Sequence, residues 1–275
     1  MPLSVLSETI EIIEEKSPVP LNEIRVEDLV IGIFFTGVKL STGHGGCAFT
    51  PIGEIPEAVC CPTSASRMPP AGALDGRPVS EIVPFALDPN VLKSAIGIAA
   101  LNALSQWIVE SQQEKDYKVM KEVDGFDLLN IQPHERVTLV GAFGPYIKRL
   151  KVMGIPFYVV EKNQAALRPD EMRYFIPETE MKGAIENAQV VIITGTALVN
   201  HTIDSILSSI DKGSRTAIIG PTASLLPDAF FKRGVRVMAG VRILNPDLML
   251  KILMQGGSAY HLLKDCSERV AFLAS

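Results

Sequence analysis

Cysteine is scarce in this chain of 275 residues: four are present, Cys47, Cys60, Cys61 and Cys266. None forms a C-x-x-C pair, and the neighbours Cys60 and Cys61 cannot bond to each other without severe strain. A disulfide framework is not expected, and a reducing, cytoplasmic setting is. Basic residues are also short, with 26 Lys and Arg against 31 Asp and Glu, a formal charge of −5. That balance argues against the concentrated basic face that a nucleic-acid partner requires. No uninterrupted apolar run reaches the roughly 18–20 residues that span a bilayer, so no membrane partner is expected. The opening segment MPLSVLSETIEIIEEK lacks the basic stretch of a signal peptide. The G-x-S-x-G elbow, the H-E-x-x-H helix and the Walker A loop are missing as well, which removes several common catalytic mechanisms.

What the chain has in quantity is apolar residues, 47% of the total. At this length two domains are the expectation. Leu3, Leu6, Ile10 and Ile13 recur at helical spacing, which predicts a helix over residues 2–16. VIGIFFTGVKLST, residues 30–42, reads as two strands joined at Thr36-Gly37, and GHGGCAFTP reads as a glycine-rich loop. PVSEIVPFAL reads as a short helix. Asp88-Pro89 then reads as the cap and first turn of a long helix. Residues 1–115 thus make a small α+β domain. The charged stretch SQQEKDYKVMKEVDG reads as a linker or helix tail, giving a linker over 116–132. From residue 133 to 275, short β-branched runs (VTLVGA, FYVVEK, VVIITG, TAIIG, VRVMAG) alternate with helical segments. This alternation predicts an α/β fold: a Rossmann-like parallel sheet with helices on both faces.

Ligands of such sheets sit beyond the carboxyl ends of the strands. The loops there are GAFGP, with Gly141, Phe143 and Gly144; Glu161-Lys162-Asn163; TGTALVNHT, with Thr194, Gly195, Thr196 and Asn200; and GPTASLLP, with Gly220, Thr222 and Ser224. Their hydroxyls, amides and backbone N–H groups suit an oxygen-rich ligand, although turns favour the same residues for local reasons. GAFGP is a poor dinucleotide fingerprint. Phe143 and Tyr146 stand where the second and third glycines belong, and Pro145 removes an N–H donor. Glu161, 20 residues after Gly141, is placed to hold ribose hydroxyls, or is simply a solvated strand-end charge. His201 is the candidate proton carrier, against a capping or surface role. His44 and Cys47 have the x2 spacing of soft metal sites, but no second spaced pair joins them. Their alternative role is in a flexible glycine-rich loop beside a cleft. Arg242, after VRVMAGV, faces the same crevice or makes a surface ion pair.

GAFGP, VVEKN, VIITGTALVNHTID and AIIGPTASLLPDAFFKRGV with AGVRI together resemble the putative heavy-metal chelation family of prokaryotic proteins. GIAALNAL and GRPVSEI resemble that family's N-terminal domain, and the similarity runs in order along nearly the whole chain. The resemblance implies an enolase N-terminal-like domain followed by a Rossmann-like domain, a ligand cleft between them, and a link to metal homeostasis or chelator synthesis. The expected partner is therefore a small-molecule ligand: a metal chelator, its precursor or a metal chelate, held by the third and fourth loops with GHGGC closing from the N-terminal side. An adenosine-containing cofactor, nucleotide or S-adenosylmethionine, serving a transferase is the rival reading; a non-catalytic regulatory subunit is the third. A homodimer is the candidate assembly.

Overall fold

A computed structural model describes residues 3–54 and 69–275. Cys60 and Cys61 lie outside the described residues. In the N-terminal unit, helix α1 (Val5–Lys16) starts where the Ser4 hydroxyl accepts the Ser7 amide at 3.1 Å, an N-cap. Strands β1 (Val26–Ile31), β2 (Phe35–Leu40) and β3 (Gly45–Phe49) form an antiparallel sheet in that order. Helices α2 (Val79–Ile82) and α3 (Val91–Ser111) follow.

Three local expectations are corrected here. The β1–β2 turn falls at Gly32-Ile33-Phe34, not at Thr36-Gly37. Thr36 is buried with its hydroxyl 3.0 Å from that of Thr50, and a Cβ on Gly37 would come within 2.6 Å of Leu253 Cδ1. GHGGCAFTP is mostly a strand, β3. Its glycines serve close approach: a Cβ on Gly46 would lie 2.2 Å from the Ala99 carbonyl oxygen and 2.4 Å from the Ala103 nitrogen, so α3 can lie directly on the strand's backbone. The cap of α3 is Asn90, whose side chain accepts the Leu92 and Lys93 amides, while Asp88 accepts the Asn90 amide. Pro89 precedes the helix. By length and composition α3 could cross a bilayer, yet 78% of its most apolar window is buried inside the fold. Ser94, Asn102 and Ser105 interrupt its apolar sequence and are buried with it.

The stretch read as a linker contains strand β4 (Tyr117–Lys121). The remaining elements are β5 (Val137–Val140), α4 (Gly144–Met153), β6 (Phe157–Glu161), β7 (Phe175–Pro177), α5 (Met181–Glu186), β8 (Val190–Thr194), α6 (Thr196–Val199) and α7 (Ile203–Ser208). Then come β9 (Arg215–Ile219), α8 (Asp228–Phe231), β10 (Val235–Ile243), α9 (Pro246–Met254), α10 (Ala259–Asp265) and β11 (Ser267–Ala274). Eight strands form one sheet in the order β4-β11-β10-β9-β8-β5-β6-β7. Pairing is parallel from β10 across to β7, while β11 runs antiparallel to both β10 and β4. The chain winds outward from β5 to β7, then returns to place β8 on the other side of β5. That reversal is the topological switch point of a Rossmann-like sheet, where the two following loops part and leave a crevice.

Each face of the sheet is covered. On one, Val191, Ile193, Ile218, Met238 and Phe272 share a continuous core with Ile13 of α1 and Ile96 and Leu104 of α3. On the other, Leu139, Ile192, Ala217 and Val237 pack under Ile147 and Leu150 of α4 and under Phe126 and Leu129. The N-terminal unit is therefore built into the covering layer of the large sheet.

Candidate functional site

The β5–α4 turn begins at Gly141, whose φ of +99° is one that L side chains rarely adopt. A Cβ there would lie 2.5 Å from Thr194 Oγ1, so the first and third loops touch across the switch point. The Gly141 amide donates to the Val160 carbonyl and the Ala142 amide to Glu161. Pro145 has no N–H. The Phe143 and Gly144 amides, at the start of α4, remain without an intramolecular partner among the described residues. Phe143 stacks on Tyr146, ring centroids 4.4 Å apart. The Tyr146 hydroxyl donates to Asp124 at 2.6 Å. Burial, reinforced by that carboxylate, holds the phenol well above its ordinary pKa.

Glu161 ties two loops together. One carboxylate oxygen accepts the Ala142 amide at 2.8 Å, and the other accepts the Lys162 and Asn163 amides at 2.8 and 3.1 Å. The residue read as a ribose holder thus already accepts three backbone donors. It fixes the first turn against the second.

The third loop folds into α6, with Ala197, Leu198 and Val199 buried. Thr194 and Thr196 stay partly exposed, and among the described residues neither hydroxyl has a hydrogen-bond partner. Asn200 is turned to local work: its Oδ1 accepts the Thr202 hydroxyl at 2.7 Å and the Thr202 amide at 3.3 Å. His201 adopts a φ of +58° and its Nε2 donates to the Asp88 carbonyl at 2.9 Å, next to the start of α3. That bond gives the ring a tethering role in this arrangement.

The hydroxyls of the fourth loop are engaged inside the protein. Thr222 Oγ1 accepts the Phe49 amide of β3 at 2.9 Å. Ser224 Oγ donates to the Pro221 carbonyl and accepts the Val241 amide, both at 2.9 Å. Asn102 of α3 donates to the carbonyls of Cys47 and Thr222 at 2.8 and 3.0 Å. The φ of +131° at Gly220, and the 2.9 Å that would separate a Gly195 Cβ from Thr222, let these chains close together. β3 and the two loops do meet, as a packed contact.

His44 precedes β3 and Cys47 lies within it. His44 is bonded to Thr42 and, at 3.3 Å, to Glu110 of α3. Cys47 is 1% exposed, in an apolar cluster with Val241, Ile243 and Met249. Burial, with Cys266 adding to it, pushes its thiol up to about 12. Among the described residues no group of three or more His, Cys, Asp or Glu is arranged to hold a metal ion. Arg242 makes ion pairs, with Glu110 at 2.7 Å and Glu268 at 2.9 Å.

Contacts at the switch point join Gly141 to Thr194 and, through the Ala142 amide, the first turn to Glu161. Phe143 and Gly144 continue that turn and Thr196 follows Thr194, while Thr222, Ser224, Asn200, His201 and His44 are engaged in other contacts. Asp124 and Phe126, beneath Phe143 and Tyr146, were not foreseen. They come from the supposed linker and carry no local signal of chemistry. Two cavities, of about 540 and 450 Å³, are lined by none of residues 141–145, 161–163 or 194–202. Gly144 and Pro145 are exposed, and Gly141, Phe143, Glu161, Thr194 and Thr196 are partly exposed.

The fold and this switch point define a Rossmann-like protein with an elaborated N-terminal unit. Residues 124–272 match a family described as putative heavy-metal chelation, and residues 15–105 match a second model with the same description. The chain belongs to the putative heavy-metal chelation family. It is 26% identical over 197 residues to an uncharacterized protein of Methanocaldococcus jannaschii, covering 70% of each. Crystal structures of two proteins of unknown function from the same family share the fold. One, from Pyrococcus horikoshii, has a TM-score of 0.75 at 21% identity, covering 98% of this chain and 99% of that one. The other, from Desulfitobacterium hafniense, has a TM-score of 0.71 at 16% identity, covering 97% and 98%.

Proposed function

We propose that this chain binds a small, oxygen-rich anionic ligand, namely a metal chelator, its precursor or a metal chelate, at the edge between β5 and β8. What supports this reading is the contact of the first loop with the third, where a Cβ on Gly141 would lie 2.5 Å from Thr194 Oγ1, and the donors on those loops that lack a partner among the described residues. Those donors are the Phe143 and Gly144 amides on one side and the Thr194 and Thr196 hydroxyls on the other. The positive end of α4 adds about 0.3–1 kcal/mol toward an anion. Four neutral hydrogen bonds add about 1 kcal/mol each, whereas micromolar binding takes about 8 kcal/mol. A ligand with multiple charges, or one that stacks on Phe143, supplies the difference. The family description supports the chelator class.

Isothermal titration calorimetry tests it, with hydroxycarboxylates, catecholates and aminopolycarboxylates titrated alone and as metal chelates. Saturable heat is expected for at least one class. Thr194→Ala/Thr196→Ala should weaken that binding by roughly tenfold or more, since two hydrogen bonds go. A flat response across the panel, in protein shown to be folded, sinks the proposal.

A second reading, an adenosine-containing cofactor serving a transferase, is favoured by one observation: Glu161 stands at the end of β6 beside the Gly141 turn. The three amides that it already accepts oppose a ribose role. Adenosine cofactors at about 100 times their dissociation constant would stabilise the fold by ~2.7 kcal/mol. A thermal shift that survives Glu161→Gln would remove the ribose role.

A further inference from the structure

The cavity of about 450 Å³ lies between the last turns of α3 and the antiparallel end of the sheet, β10-β11-β4. Strands β9 and β8 separate it from the β5 edge, so it is a different place from the site above. Its volume falls in the range of small-molecule pockets.

The walls state what would fit. Val109, Val119, Val241, Val270 and Phe272 make an apolar floor. The polar groups in the wall are already satisfied. Gln106 exchanges two hydrogen bonds with the backbone of Ile243, at 2.8 and 2.9 Å, and both bonds of Ser224 stay within its own surroundings. None of the buried polar atoms that lack a partner belongs to a residue of this lining. A polar body would find nothing to bond to, and an apolar one would lose no hydrogen bonds.

Charge at the mouth sets the head group. Arg242 is neutralised between Glu110 and Glu268. Among the described residues Lys115 donates only to the Gln112 carbonyl, at 2.6 Å, and Lys121 makes a long ion pair with Glu268 at 3.9 Å. Arg242, Lys115 and Lys121 thus outnumber the two carboxylates here, Glu110 in the wall and Glu268 beside it, and both of those carboxylates lie closest to Arg242. We propose that this interdomain cavity binds an amphiphilic anion, with an alkyl or aromatic body against Val119, Val270 and Phe272 and a single carboxylate or sulfonate between Lys115 and Lys121.

The experiment uses 8-anilinonaphthalene-1-sulfonate as a fluorescent probe, octanoate as competitor and octanol as its uncharged counterpart. The single tryptophan, Trp107, lies on α3 beside the wall residue Gln106 and is an internal reporter. Expected are saturable probe binding, displacement by octanoate, and a Trp107 response to both. Lys115→Gln/Lys121→Gln should weaken octanoate by roughly tenfold, as for two half-exposed ion pairs, and leave octanol unchanged. Val119→Trp should block both; if it fails to fold, the lysine variant decides alone. Thr194→Ala/Thr196→Ala should change nothing here, which separates this site from the chelator edge. Probe binding that does not saturate, octanoate that does not compete, or equal losses of octanoate and octanol in the lysine variant would each overturn the proposal.

Discussion

Thr222 Oγ1 accepts the Phe49 amide at 2.9 Å, joining the loop after β9 to the small N-terminal sheet. Thr222 is 2% exposed and the bond is part-buried. Thr222→Val keeps the shape and removes the acceptor, and loss of a part-buried hydrogen bond costs about 0.5–1.5 kcal/mol. Thr222→Ser keeps the oxygen and should recover most of that loss. Urea unfolding of the three proteins checks it. Equal stability of the valine and serine variants would show that the hydroxyl serves something else.

The approach of α3 to β3 makes a sharper case. A Cβ on Gly46 meets the helix backbone at 2.2 Å, where no side chain can yield. Gly46→Ala should therefore cost more than about 3 kcal/mol, the upper range for overpacking, and should reduce soluble yield. Gly53→Ala meets nothing within 4 Å and should stay within about 0.5 kcal/mol of the parent. If the two behaved alike, the strand assignment of GHGGC would be wrong.

At the amino-terminal edge of the sheet, away from the candidate site, Arg215 grips both oxygens of Glu135 at 2.9 and 2.5 Å. The Glu135 side chain is 9% exposed and that of Arg215 29%. Hydrogen bonds from Arg215, opposed by burial and helped by the Gln132 amide, hold the Glu135 carboxyl below its ordinary 4.5. A depressed folded pKa means stability that is present above the unfolded value and lost as pH falls through the folded one. The pair should contribute fully above about pH 5 and fade below about pH 4. Glu135→Gln should flatten the acid limb of the stability curve and cost about 1–3 kcal/mol at neutral pH, discounted for the partly exposed arginine. Urea midpoints measured across that window test it; parallel curves for parent and variant would remove Glu135 as a source of acid sensitivity.

The large sheet was legible because VTLV, VVII and TAII are buried on both faces, and FYVV in all but Tyr158, so that they need no neighbour to look like strands. β4 was not. In YKVMK charge alternates with half-buried residues, and only its pairing with β11 shows it to be an edge. β3 was hidden for the opposite reason, since its glycines report the proximity of α3, a partner some 50 residues away that no local pattern contains. The site divided along the same line. Gly141, Glu161 and Thr194 sit where strand order alone puts them. A hydroxyl such as that of Thr222 carries no mark of whether it faces a ligand or an amide from another element, and here the amide takes it.

The switch point itself can be tested without any ligand. Gly141→Ala introduces two separable penalties. One is local: at φ +99° a side chain is strained by about 1–3 kcal/mol whatever surrounds it. The other is steric, because the new Cβ would stand 2.5 Å from Thr194 Oγ1 and 2.7 Å from Thr194 Cγ2. Thr194→Ala deletes both of those atoms and, with no hydrogen bond to lose, should by itself cost under about 1 kcal/mol. In the double variant the steric penalty goes and the strain stays. The double-mutant cycle should therefore show a favourable coupling of about 1–2 kcal/mol, read from chemical denaturation of the four proteins. Strict additivity would mean that Gly141 and Thr194 are not in contact, and the edge proposed to hold the chelator would lose its two sides.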